Sequence, residues 1–321
     1  MMAPLLVEVT RRDVRTGADI IESVHHGHLV VTGPGGEVVM SLGDPDVSTL
    51  VRSAAKPFQV QACLDVLGEA GADLTAQEIA VAWSSHRAEP RHLGIVQRLL
   101  ERSGTDAASL TCPAAVGEAD LGASPARIQR DCSGKHALFA LVGQKLGLAG
   151  ADVIDPAGAV QRAVLQVLEE ALGPMDALAT DGCGAPAVAV PLVNLARGFA
   201  AVATGTRWSR VRDAGLAHPG LVGGCGRAET ALLEAGIVAK PGAEGVFGIG
   251  LTDAHGRPFG AAIKILDGSS RGSATAAVGL LEALGHVGPG TWAAPAPTGG
   301  ELPVGEVRPS SLVCGLGRRR P

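Results

Sequence analysis

The chain of 321 residues contains no tyrosine, three tryptophans, five phenylalanines and only five lysines against 22 arginines. Without tyrosine no phenolate can serve as a base, and eight aromatic rings leave little on which nucleobases could stack. A net charge of -5 points the same way, because phosphate backbones are gripped by clustered lysine and arginine. The one basic cluster, Arg318-Arg319-Arg320, reads as a solvated tail, so no nucleic-acid partner is expected. No run of 18 apolar residues is unbroken; the stretch 185–203 is interrupted by Asn194 and Arg197. The first residues include Leu5, Leu6 and Val7 but neither a long apolar core nor a cleavage site, so neither a leader nor a membrane span is expected. Six cysteines (63, 112, 132, 183, 225 and 314) then read as free thiols in a reducing cytoplasm.

The lysine shortage also carries chemical information. Arginine cannot lose its proton in a protein and lysine can, so in a chain that favours arginine each remaining lysine is either a chance survivor or a removable proton. The five are Lys56, Lys135, Lys145, Lys240 and Lys264.

With 46% hydrophobic and 18% charged residues the composition is globular, and the length suffices to bury a stable core without disulfides. Apolar, β-branched runs at 29–32 and 37–42 flank Gly33-Pro34-Gly35-Gly36, a hairpin pattern, with a further strand at 5–9. A second hairpin pattern spans 246–252 and 259–266, and a last short strand is expected near 304–307 after a Pro- and Gly-rich surface connection at 285–305. Helical periodicity appears at 57–67, from Thr75 with a Thr75-x-x-Glu78 capping box, at 91–102, 136–146, 160–172, 191–200 and 275–284. Strands at both ends around a helical middle at roughly 57–200 predict an α+β fold, an antiparallel sheet with helices, forming one catalytic unit over 1–321.

Four clusters could carry chemistry. Ser53-Ala54-Ala55-Lys56-Pro57 is a Ser-x-x-Lys at a helix entrance, since Pro57 fits only a first turn; residues three apart share a face, and a neutral Lys56 could take the Ser53 proton. The alternative is that Ser53 merely caps the helix. Lys264 lies on a strand with Ala262 on one face and Ile263 and Ile265 on the other, as an edge charge or an amine aimed into a cleft. Trp83-Ser84-Ser85-His86 offers hydroxyls at an element end, for catalysis or for capping the helix that begins near Pro90. Asp131-Cys132-Ser133-Gly134-Lys135-His136 and Asp181-Gly182-Cys183-Gly184 bring thiols, an amine and an imidazole that could bind zinc, pair as Cys132 with His136, or be inert.

In order along the chain, Glu22-Ser23, His26-Gly27, Gly43-Asp44, Arg52-Ser53-Ala54-Ala55-Lys56-Pro57, Ser84-Ser85-His86, Asp131-Cys132-Ser133-Gly134-Lys135-His136, Asp181-Gly182-Cys183-Gly184 and Lys264 resemble the rhizobial-type, class 3 L-asparaginases, the asparaginase II family. The resemblance implies a fold similar to serine β-lactamases, penicillin-binding proteins and serine glutaminases, a cytoplasmic homodimer, and hydrolysis of L-asparagine to L-aspartate and ammonia through an acyl-enzyme. It implies two Ser-Lys pairs, Ser53 with Lys56 and Ser85 with Lys264, and a zinc site of Cys132, Lys135 and Cys183. Arg52, His86 and Asp181 are the expected substrate-binding residues. A serine glutaminase or β-lactam-type hydrolase, and a zinc- or redox-responsive binding protein without amidase activity, are the alternatives.

Overall fold

The computed structural model describes residues 2–119, 122 and 124–319. Strands β1 (Leu5–Arg12), β2 (Asp19–Thr32), β3 (Val38–Leu42) and β4 (Ser48–Leu50) come first, and a 3-10 turn at Arg52–Ala55 runs straight into helix α1 (Lys56–Leu67). Helices α2 (Ala76–Ala82), α3 (Pro90–Arg102), α4 (Ser133–Leu146) and α5 (Ala159–Leu172) follow. Next come β5 (Ala177–Thr180), β6 (Pro186–Pro191), α6 (Leu192–Thr204), α7 (Ser209–Ala217), α8 (Pro219–Val222) and α9 (Ala228–Glu234). The chain finishes with β7 (Val238–Gly242), β8 (Val246–Thr252), β9 (Pro258–Ile265), α10 (Ser270–Ala283), β10 (Thr298–Gly299), β11 (Leu302–Pro303), β12 (Val307–Pro309) and α11 (Ser311–Cys314).

The main sheet has the order β12-β1-β2-β9-β8-β7, with β3 also on β2, and its pairs are antiparallel. This is the α+β architecture expected from strands near both ends of the chain. A smaller sheet, β4-β6-β5, interrupts the helical middle, where the apolar run before Pro191 is a strand. The last main-sheet strand falls at 307–309, not 304–307, and the Pro- and Gly-rich connection contains the short β10–β11 hairpin. The Thr75–Glu78 capping box forms as expected. Arg320 of the basic tail lies outside the described residues. Among the described residues no helix is long and apolar enough to cross a membrane.

Strand alternation sorts two cores. Leu29, Val31, Phe247, Ile249, Ile263 and Ile265 pack with α10 on one face, whereas Val30, Val246 and Ala262 join the larger helical core on the other. On that second face the sheet is floored with Gly248, Gly250 and Gly260. A Cβ at any of them would strike Phe199 or Ala196 of α6, so glycine is what allows this helix to lie directly on the sheet.

β7 was not expected from the sequence. Its five residues contain Pro241 and end on Gly242, which read as breakers. Yet β7 is the last strand of the sheet path, where a residue without an N–H leaves no interior ladder bond unmade.

Candidate active site

Three of the five lysines, Lys56, Lys135 and Lys240, are only 1%, 2% and 0% exposed. Lysine is almost never buried this deeply without a purpose-built partner. Lys56 opens α1, and its Nζ donates to the Ser84 carbonyl and, at 3.1 Å, to Ser85 Oγ. Lys240 comes from β7, and its Nζ reaches the same Ser85 Oγ at 2.8 Å and the Pro241 carbonyl at 3.0 Å. One hydroxyl therefore bridges two buried amines. Burial, followed by the nearby Lys56 cation, pushes the Lys240 amine down to about 7, against the opposing pull of Glu229 and Asp131.

The segment that presents Ser85 is pinned on both sides. Ser85 N–H donates to Val222 O at 3.0 Å, His86 N–H to Asp131 O at 3.1 Å, and Ser84 Oγ turns back onto Val81 O at 2.7 Å. Ser84 is thereby occupied, and Ser85 is the hydroxyl left facing the amines. Neither serine caps α3, whose N-cap is Glu89.

Ser53 does not cap either. The N-cap positions of the 3-10 turn and of α1 are Val51 and Ala55, with no side-chain capping bond at either. The preceding Arg52 is held at φ 50°, a left-handed conformation that a non-glycine residue rarely adopts and that clusters at functional sites. The turn packs against the end of β7, for a Cβ on Gly242 would meet Val51 O and Ala54 N.

Arg52 Nε donates to Asp181 Oδ1 at 2.8 Å, so two expected substrate-binding residues are paired with each other. Burial would raise the Asp181 carboxyl, but Lys135 and Arg52 together hold it below its ordinary range. Gly182, beside it, lies between the Arg52 and Arg130 guanidiniums. Asp131 stands 4.0 Å from Lys56 Nζ and 3.4 Å from Arg130 Nε, and against the effect of burial the Lys56 cation leads in holding it ionised. Arg52, in the turn that carries Ser53, is thus paired with Asp181, and Arg130 with Asp131, which lies 4.0 Å from Lys56 Nζ.

His86 faces inward instead. Its Nδ1 accepts from Ala88 N–H at 3.1 Å, so Nε2 carries the proton and donates to Ser133 Oγ at 2.9 Å, while the ring stacks on His92 at 5.3 Å. The ring has no nitrogen left for a substrate, and its contacts hold the Ser85 segment in place. Burial first, then His92 and Lys56, lower its pKa to about 3. Since the unfolded imidazole titrates near 6.5, the unfolded state binds more protons between about pH 3 and 6.5, and stability rises with pH across that window. Unfolding free energies from urea titrations should fall as pH drops from 6.5 towards 4, by on the order of 3 kcal/mol, a dependence that His86→Gln flattens. An equally steep fall in that variant would sink the assignment.

Lys264 lies on the face that the alternation predicted, with Ala262, but it is not beside Ser85. Its Nζ donates to the Glu244 carbonyl in the β7–β8 turn, and burial followed by Arg52 lowers its pKa against Glu244 and Asp267. The strand register explains the exchange: Lys240 lies opposite Gly248, in one row with Ala262, whereas Lys264 pairs with Val246 two residues further along. The expected pairing of Ser85 with Lys264 is therefore replaced in the structure by Ser85 with Lys240. A signal was available in Lys240-Pro241-Gly242, a Lys-x-Gly of the kind that accompanies Ser-x-x-Lys in penicillin-binding enzymes.

The thiols converge too. Cys132 is the N-cap residue of α4, which places Lys135 and His136 in its first turn, and Cys183 lies in the turn between β5 and β6. Lys135 Nζ donates to Cys183 Sγ at 3.2 Å. Cys112, not singled out from the sequence, joins Cys132 and His136 in a buried group whose donor atoms lie within 4.8 Å of one another. The hydrogen bond from Cys112, with burial, pushes the Cys132 thiol up to about 11 against Cys183 and the Lys56 and Lys135 cations. Lys135 is raised rather than lowered, since Cys183, Cys132 and Asp181 outweigh its burial. Soft thiols beside a buried imidazole are a donor set suited to zinc.

A search of curated proteins returns no match. Among solved structures the chain is similar to one described as Mglu in its native form, with a TM-score of 0.39 and 19% identity over 80% of this chain and 64% of that one. Mglu in its glutamate form gives a TM-score of 0.39 and 18% identity over 81% and 61%, and a Bacillus glutaminase 0.32 and 14% over 75% and 83%. The chain spans less than two thirds of the length of the first two. A sequence profile of L-asparaginase II matches residues 7–309, nearly the whole chain. By that match the chain belongs to the L-asparaginase II family of amidohydrolases.

Proposed function

We propose that the chain hydrolyses the side-chain amide of L-asparagine, releasing L-aspartate and ammonia through an ester on Ser53. The observation that carries this reading is Ser85 Oγ held at 3.1 Å and 2.8 Å between the buried amines of Lys56 and Lys240. Lys56, three residues from Ser53 on the same helical entrance, passes its proton through Ser85 to Lys240 and, once neutral, accepts the serine proton as Oγ attacks the amide carbon. The tetrahedral intermediate collapses with cleavage of the C–N bond, Ser85 delivers a proton to the leaving nitrogen, and an adjacent amine replaces it. Water then attacks the ester along the same relay in reverse and frees Ser53. Two amines so close disfavour double protonation, which keeps one of them available as a base.

The charged residues fit a substrate that carries both an α-carboxylate and an α-ammonium. Arg52 and Arg130 flank Gly182, and Asp131 and Asp181 supply the opposite sign. Zinc is proposed as a cofactor at the thiol cluster; when bound it would draw the thiols to thiolates and brace the Cys183 turn that carries Asp181. No proton transfer in the scheme passes through it.

The reading is tested by ammonia release from L-asparagine, with L-glutamine as the competing substrate. Turnover of asparagine above glutamine is the expected outcome, and no ammonia from either would end the proposal. The rate has a signed pH dependence as well. Lys240 titrates near 7, so kcat/KM should fall as pH drops through about 7 and the relay amine takes up a proton. A profile flat from about pH 6 to 8 would remove Lys240 from the relay.

A further inference from the structure

We propose that Glu229, a buried carboxylate on α9, is a positioning residue of the relay: it acts through Lys240, holding there the proton that Lys56 passes across Ser85. As a statement about rate this rests on the amide-hydrolysis reading; as a statement about where a proton sits it does not.

Glu229 is 5% exposed, and among the described residues its carboxylate takes no hydrogen bond and no ion pair. A carboxylate withdrawn from water without a direct partner is costly, and it persists where its charge serves a neighbouring cation. Its placement is built into the backbone. A Cβ on Gly223 would lie 2.7 Å from Glu229 Cγ and 3.0 Å from Cδ, so the bare backbone of that glycine leaves the room the carboxyl group fills. Gly223 follows Val222, whose carbonyl receives Ser85 N–H at 3.0 Å. α9 packs on β7, and the chain passes from one into the other after three residues. Glu229 thus lies between the segment that pins Ser85 and the strand that carries Lys240.

The two amines exchange a proton through one hydroxyl. Ser85 Oγ takes a proton from Lys56 Nζ, 3.1 Å away, as its own proton passes to Lys240 Nζ at 2.8 Å. Serine ends as a hydroxyl again, Lys56 as a neutral amine and Lys240 as an ammonium. A carboxylate serves each end of this path. Asp131, 4.0 Å from Lys56 Nζ and with a side chain 48% exposed, favours the proton where it starts. Glu229 favours it where it must arrive, and its burial makes its charge felt more strongly over the same distance. The charged groups that reach Lys240 are Lys56 on α1, Glu229 on α9, Asp131 before α4 and Arg227 before α9. Arg227 opposes a proton there and is itself paired with Glu118. Glu229 is the buried carboxylate of the set.

The chain has only five lysines, so protein labelled with carbon-13 and nitrogen-15 in lysine alone gives a spectrum in which the Lys240 side chain can be followed, identified by its loss in Lys240→Met. In the wild type that signal should titrate near pH 7. Glu229→Gln keeps the shape of the side chain and removes its charge, so the midpoint should fall by about one unit. One unit is tenfold in the population of protonated Lys240, so kcat on L-asparagine should fall about tenfold on the plateau, while the acid limb of kcat/KM moves to lower pH by the same interval. Glu229→Asp should recover most of both. A merely structural role would leave the midpoint and the limb where they are. Gly223→Ala, which pushes the carboxyl group aside, should move the midpoint in the same direction and replaces Glu229→Gln if that variant does not fold. An unmoved midpoint, or a moved midpoint with the acid limb and kcat unchanged, would overturn the assignment. Absence of ammonia from the wild type would remove the amidase reading instead, and the midpoint alone then decides whether Glu229 governs the proton on Lys240.

Discussion

Ser53→Ala should fold normally and release ammonia from L-asparagine about 10⁴-fold more slowly or worse, the size of loss seen when a covalent nucleophile is removed from a serine hydrolase. The variant removes one oxygen from a half-buried side chain that makes no capping bond, so unfolding is not expected. Ser85→Ala is the informative companion. Removing the bridge between Lys56 and Lys240 should cost about 10²–10⁴-fold, the range for losing a positioned proton donor, while an ester can still form on Ser53. Denaturing the protein during turnover and locating the acyl group by peptide mass spectrometry separates the roles. An acyl group on Ser85, or Ser53→Ala within tenfold of wild type, would exchange the two assignments.

Lys240→Met should remove at least about 10³-fold of kcat, because it deletes a donor to Ser85 and the amine that is left free to take up a proton near neutral pH. Lys240→Arg should not rescue the rate, since a guanidinium stays protonated. Lys264→Met should cost at most about tenfold, because Lys264 braces the Glu244 carbonyl in the turn after β7 and does not touch Ser85. The contrast discriminates between two lysines on one face of one sheet. If Lys264→Met were the crippling change and Lys240→Met the mild one, the relay described above would be misassigned.

The parts of the site legible in the sequence are the local ones. The proposed pair of Ser53 and Lys56 is legible because a helical entrance puts residues three apart on one face, and Pro57 marks where that entrance begins. The alternation around Lys264 gives its face correctly but cannot give its row, because the row depends on how β7, β8 and β9 register. Lys240 carries one local sign, its Lys-x-Gly, but its partner cannot be read locally: it meets Ser85 across 155 residues, from a strand too short and too interrupted by proline to show a periodic pattern. The thiols follow that rule also. Cys112, Cys132 and Cys183 have no finger spacing, and only the packing of α4 against the loop before it and the β5–β6 turn makes them neighbours. His86 is the opposite case, a polar residue beside a reactive serine whose ring belongs to the interior.

Pro241 bears on what kind of molecule the site can accept. β7 is an outermost strand, and open strand edges ordinarily invite an extended peptide to add its own hydrogen bonds. Next to Lys240, however, an incoming chain would meet a nitrogen without a hydrogen and a carbonyl already taken by the Lys240 amine at 3.0 Å. A polypeptide laid along this margin would lose both of its partners at the position nearest the relay. The proposed substrate, a free amino acid held by its two charged ends, would need neither.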